Sequence, residues 1–114
     1  MDQKTDLSDA YENGAYIPDG ASYPPRWAAE AQAYRKRLSP AQKAVLGLPY
    51  GEGARHRMDL FLPDRTPEGL VVFVHGGYWQ RFDRSDWSHL AEGARARGWA
   101  VAMPSYDLCP DVRI

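Results

Sequence analysis

The spacing of apolar residues changes several times along the chain, and each change marks an element. Between Pro24 and Leu38 the apolar positions follow a helical period, with Trp27, Ala31, Tyr34 and Leu38 on one stripe. Pro24-Pro25 suits a first helical turn, where the missing N–H has no partner to lose. Ser39-Pro40 ends the run, because the residue before a proline is pushed out of helical geometry. Residues 44–50 read as a first short strand and Gly51-Glu52-Gly53 as a turn. From Arg55 to Leu62 the pattern alternates. Met58, Leu60 and Leu62 fall on one face and Arg57 and Asp59 on the other, which predicts a half-buried strand antiparallel to its predecessor.

Leu70-Val71-Val72-Phe73-Val74 is continuously apolar and suits a parallel strand covered on both faces. Next comes a predicted helix, with Ser85 as its cap and Trp87, Leu90, Ala91 and Ala94 at helical spacing. Arg95 and Arg97 suit its C-terminal dipole end, and Gly98 the left-handed position just beyond it. Trp99–Met103 reads as another buried strand, and Pro104–Pro110 as loop. Strand, helix, strand is a crossover unit of parallel strands, nearly always right-handed. The fold class is therefore α/β. Residues 1–43 are expected to form an arm carrying the helix at about 25–38 and a short turn of helix near Leu7–Asn13, and residues 44–114 the α/β body.

Composition narrows the function classes. The 114 residues are 44% apolar and 25% charged, which is globular. A formal net charge of −1 with interleaved signs offers no basic face for nucleic acid. No apolar run approaches the roughly 20 residues that span a bilayer, and the stretch Met1–Asp6 has no signal-peptide core. One cysteine, Cys109, forms no internal disulfide, so a cytoplasmic location is expected. His56, His75 and His89 are too dispersed for a metal cluster, and no cofactor is called for.

The chemistry lies in His75-Gly76-Gly77-Tyr78-Trp79, directly after the apolar strand. Two glycines at a strand's C-terminal end let the backbone turn sharply and present its N–H groups, and ligands of open parallel sheets bind at that end. Exposed N–H donors there can hold the oxyanion that develops in acyl transfer.

This segment resembles the oxyanion motif of α/β-hydrolases, in the HGGYW form of kynurenine formamidases and related esterases. The similarity extends upstream to Tyr50-Gly51-Glu52 and Met58-Asp59-Leu60-Phe61-Leu62-Pro63. Downstream it takes in Pro104-Ser105-Tyr106-Asp107-Leu108-Cys109-Pro110. It covers roughly residues 44–114 and more loosely Gly14-Ala15-Tyr16 and Tyr23–Trp27. The resemblance implies the N-terminal part of an α/β-hydrolase fold, a mostly parallel sheet flanked by helices. By the same resemblance Gly77 and Tyr78 N–H are the oxyanion donors, His75 and Gly76 shape the loop, and Tyr78 and Trp79 line the substrate pocket. The implied activity is serine-hydrolase cleavage of an aryl formamide such as N-formylkynurenine. A carboxylesterase acting on small acyl esters is the alternative.

No Gly-x-Ser-x-Gly occurs among Ser8, Ser22, Ser39, Ser85, Ser88 and Ser105. In the family's order the serine, acid and histidine follow the oxyanion loop, so all three are expected after Ile114, and the 114 residues alone are expected to be inactive. The strand at Leu70–Val74 would then carry a bare apolar edge, prone to pairing with another chain. A third reading is a non-catalytic chain, or half of a split enzyme, completed by a partner. His89 and the group Asp83, Arg84 and Asp86 read as solvated, His56 as surface or edge, and Cys109 as a loop or core residue. Tyr11, Tyr16, Tyr23 and Trp27 either cap an aromatic pocket or pack the arm onto the body.

Overall fold

The computed structural model describes residues 5–114. In the arm, α1 (Ser8–Tyr11) and two 3-10 turns lead into α2 (Tyr23–Leu38). The body then contributes β1 (Ala44–Pro49), β2 (Arg57–Phe61), β3 (Leu70–Val72), α3 (Glu92–Arg95) and β4 (Ala100–Pro104). The sheet order is β1-β2-β4-β3, antiparallel at β1–β2 and β2–β4 and parallel at β3–β4. The architecture is α/β, as the patterning implies.

Helix α2 packs on the sheet through Tyr34 and Leu38 and buries Ala31, Tyr34 and Leu38, three of the four positions on the stripe its periodicity marks, with Trp27 half-buried. The core joins Tyr34 and Leu38 to Phe61, Ala91, Val101 and Met103. Tyr34 stays polar at its tip, donating its hydroxyl to Glu92 Oε2 at 2.6 Å, and Glu92 is held by Arg95 Nε at 2.7 Å. Burial and that bond to Glu92 push the Tyr34 phenol well above its usual range.

Four local expectations are corrected. On β2 the most buried positions are Asp59 and Phe61, with Met58 and Leu60 half-buried, because Phe61 packs against Tyr34 of α2 and a salt bridge with Arg84 makes the carboxylate acceptable beside it. Strand β3 is exposed along its length and hydrogen-bonded on one side, to β4. The strand buried throughout its apolar run is β4. The stretch expected to be one helix after Ser85 is two 3-10 turns, Arg84–Asp86 and Ser88–Ala91, followed by the four-residue α3. Trp87, at φ −125°, interrupts helical geometry as it packs against Trp27 and Phe82. The three-residue period of the second turn sends Ser88 and Ala91 inward and leaves Leu90 half exposed. The cap is Asp83, not Ser85: its carboxylate accepts from Ser85 N, and Asp86 returns the bond to Asp83 N at 2.9 Å. Gly98 does close the last turn, at φ +91°.

Candidate active site

The loop after β3 is built by opposed demands on its backbone. The Gly77 carbonyl accepts from Gln80 N at 3.0 Å and Arg81 N at 3.1 Å, closing a tight turn. The Gly76 carbonyl faces His75 Nδ1 at 2.7 Å, which places the ring proton on that nitrogen. A trans peptide directs its N–H opposite its carbonyl. The Gly77 N–H is thus directed away from the His75 ring, and the Tyr78 N–H away from the Gln80 and Arg81 amides. Gly77 sits at φ +129°, and a Cβ there would meet the Arg81 carbonyl oxygen at 2.4 Å, so this position requires glycine. Gly76 differs: its Cβ would meet nothing within 4 Å, so its small size leaves open space beside the loop.

Tyr78 (φ +54°), Trp79 (+61°) and Phe82 (+74°) all adopt left-handed conformations. For residues with large side chains such conformations are strained and persist where surrounding contacts enforce them. The enforcing contacts come from the segment after β4 and from Arg55, just before β2. The Tyr106 hydroxyl donates to the His75 carbonyl at 2.7 Å, and the two rings stack with centroids 4.4 Å apart. Cys109 N–H donates to the Trp79 carbonyl at 2.7 Å. Arg55 bridges the Phe82 and Tyr106 carbonyls, at 2.7 Å each.

A cavity of about 810 Å³ opens beside the loop, lined by Gly76, Gly77 and Tyr78, by Phe73, Phe82, Trp87 and Leu90, and by Tyr23 and Trp27. Its aromatic wall is continuous, with Trp27 5.0 Å from Trp87 and 5.8 Å from Tyr23 between centroids. The arm supplies Asn13, whose amide donates to the Tyr78 hydroxyl. The two readings of the arm's aromatics thus divide: Tyr23 and Trp27 line the cavity, whereas Tyr11 and Tyr16 are largely exposed. Trp79 lies on the other side of the loop, against Tyr106 and a second apolar hollow with Tyr50, Met58 and Val74. It does not line the cavity that Tyr78 borders.

Two groups read as solvated are not. His89 is half-buried and meets Glu30 of α2 at 3.4 Å. Arg84 and Asp83 belong to a network centred on the fully buried Ser105. Arg84 Nε donates to Asp59 at 2.8 Å, and its Nη1 to Ser105 Oγ at 3.0 Å. Ser105 Oγ donates in turn to Asp83 Oδ1 at 2.6 Å. Burial works to raise the Asp83 carboxyl, but hydrogen bonds from Ser105 and Ser85 and the Arg84 charge outweigh it and hold it below its usual value. The spacing of these residues along the chain carries no signal of this network; the Asp83-to-Asp86 capping pair is the one part that could have been read. His56, expected at surface or edge, is partly exposed and pairs with Asp107 at 2.9 Å. Among the described residues no three His, Cys, Asp or Glu side chains gather as a metal site, and no helix is long and apolar enough to cross a membrane.

No family model matches the chain. A kynurenine formamidase of Drosophila melanogaster is 44% identical over 69 residues, 59% of this chain and 23% of that protein. One of Salmo salar is 33% identical over 77 residues, covering 66% and 26%. The chain therefore spans about a quarter of the length of the curated relatives it matches. A crystal structure from Silicibacter sp. TM1040, provisionally described as a thioesterase, superposes with a TM-score of 0.91 at 64% identity. The match covers 96% of this chain and 41% of that one. Esterase B of Lactobacillus rhamnosis shares the fold alone, with a TM-score of 0.56 at 22% identity over 76% of this chain and 34% of that one. Over the part it spans, the chain has the architecture of the α/β-hydrolases, and its sequence is similar to the kynurenine formamidases.

Proposed function

We propose that the protein carrying this chain is a serine hydrolase of the arylformamidase type, with N-formylkynurenine as the expected substrate. The observation that carries the reading is the tight glycine turn, its Gly76 and Gly77 carbonyls both engaged, beside an aromatic-lined cavity, which leaves the Gly77 and Tyr78 N–H groups to serve as donors. In this reaction a serine Oγ adds to the formyl carbon, and the negative oxygen that forms rests on the two N–H groups. The C–N bond then breaks, the amine leaves with a proton from the histidine, and water releases formate from the formyl-enzyme. Trp27, Trp87 and Tyr23 suit a flat aryl group, because ring pairs in such a wall add to plain apolar burial. By the same resemblance the serine, acid and histidine lie outside these 114 residues, in the order serine, acid, histidine. Cytoplasmic location is part of the proposal.

The second reading is hydrolysis of an ester or thioester, favoured by the close structural relative provisionally described as a thioesterase. The same N–H pair serves either reaction. The test is kcat/KM of the native-gene polypeptide on N-formylkynurenine, a short acyl ester and an acyl thioester. Clear preference for the formamide supports the first reading, and turnover of the esters or thioesters alone overturns it. The 114 residues by themselves are expected to turn over none of the three.

A further inference from the structure

The oxyanion loop is anchored by groups that do not belong to it, and the Ser105 hydroxyl holds a particular place among them. It is fully buried and does not line the aromatic cavity; it borders the second hollow, with Trp79 and Tyr106. It accepts from Arg84 N at 3.3 Å and Arg84 Nη1 at 3.0 Å, and donates to Asp83 Oδ1 at 2.6 Å. Asp83 and Arg84 immediately follow Phe82, which stands at φ +74° and whose ring would lie 2.9 Å from any Cβ at Gly77. Ser105 thus fixes the downstream end of the turn. Its neighbour Tyr106 fixes the upstream end through the His75 carbonyl. Two consecutive residues at the end of β4 therefore clamp both ends of the loop that presents the donors.

We propose that Ser105 is a positioning residue for the oxyanion loop, holding the Gly77 and Tyr78 N–H groups in place through Asp83 and Arg84. This rests on the reading of that loop as an oxyanion site. A left-handed Tyr78-Trp79 pair relaxes readily once an anchor is lost, because each residue has lower-energy conformations elsewhere. A donor displaced by a fraction of an ångström stabilises the transition state less while leaving ground-state binding in the aromatic cavity unchanged. The signature is a fall in kcat without a matching change in KM. Ser105→Ala is the suitable change: it keeps the Asp59–Arg84 pair and alters little volume.

The experiment compares the native-gene polypeptide with its Ser105→Ala variant in two measurements. Hydrogen–deuterium exchange is followed in peptides covering the loop (residues 76–84) and α2 (residues 23–38). Steady-state kinetics are taken well below the melting temperature. Faster exchange confined to the loop, with kcat down about tenfold at unchanged KM, is the expected result; loss of a whole oxyanion donor costs more, ~100-fold or above. Unchanged loop exchange, or equal acceleration in α2, overturns the proposal, as does a wild-type kcat in a less stable variant. If the parent protein has no hydrolase activity, the functional reading fails by itself, and the exchange comparison alone decides whether Ser105 holds the loop.

Discussion

Arg84 Nε lies 2.8 Å from Asp59 Oδ1, joining the segment after the glycine loop to the buried face of β2. The same carboxylate oxygen accepts from Gly47 N at 2.9 Å, at the irregularity in β1 where Gly47 takes φ +70°. One carboxylate thus satisfies a bulge amide on one side and a guanidinium on the other. Arg84→Met should therefore leave a buried charge short of its partner and cost about 3–5 kcal/mol. Asp59→Leu combined with Arg84→Met should cost less than that single change. Denaturant unfolding of the three proteins checks this, and an additive double variant would contradict it.

The two loop glycines should respond oppositely. Gly77→Ala forces a Cβ against a backbone carbonyl at a left-handed position, and a loss of about 1–3 kcal/mol is expected from the strain, with loss of activity. Gly76→Ala meets open space and should leave the melting temperature nearly unchanged while placing a methyl beside the cavity. Its effect should show in kinetics alone. Thermal melts beside kinetics of both variants separate the two roles.

Trp27 tests the aryl reading. Trp27→Leu removes ring contacts with Trp87 and Tyr23 from the cavity wall. KM for an aryl formamide should rise roughly three- to tenfold. KM for a short acyl ester should hardly move. Equal changes for both substrates would place the aryl group elsewhere.

Asp83 makes stability depend on pH in a definite direction. Its carboxyl is held below the ordinary 3.8 in the folded chain, so in that range the unfolded chain binds more protons. The stabilisation is complete above the unfolded value and is lost as pH falls through the lowered folded one. Glu92, lowered chiefly by its hydrogen bond from Arg95, acts with the same sign. Asp83→Asn should flatten the acid limb in urea midpoints measured across the acid range, with a residual slope from Glu92. An unchanged limb would contradict this.

The edge of β3 predicts the behaviour of these 114 residues expressed alone. Leu70 and Val72 of β3, and Val74 just beyond it, are each more than half exposed, and β3 is paired on one side among the described residues. Such an edge templates pairing with another chain. Light scattering should show concentration-dependent association, reduced by Val72→Lys. A monomer at all concentrations would refute it.

Features that depend on neighbours along the chain were legible in the residues themselves. The α2 stripe follows from spacing and Gly98 from the handedness a helix end demands, whereas of two unbroken apolar runs β4 is buried and β3 is exposed. The tight turn after β3 follows from His75-Gly76-Gly77-Tyr78-Trp79 placed after a strand, since Gly77 takes a backbone conformation that favours glycine. What needed the tertiary structure depends on residues brought together from afar. Asp59 and Arg84 stand 25 residues apart and Arg84 and Ser105 21 apart, and no period links them. The face of β2 that is buried was decided by α2 and by a cation arriving from another loop, against the alternation of apolar side chains. The break of the expected helix at Trp87 was decided by where Trp27 and Phe82 stand. A charged or bulky side chain takes its environment from the groups folding sets against it, and only the assembled chain determines what those groups are.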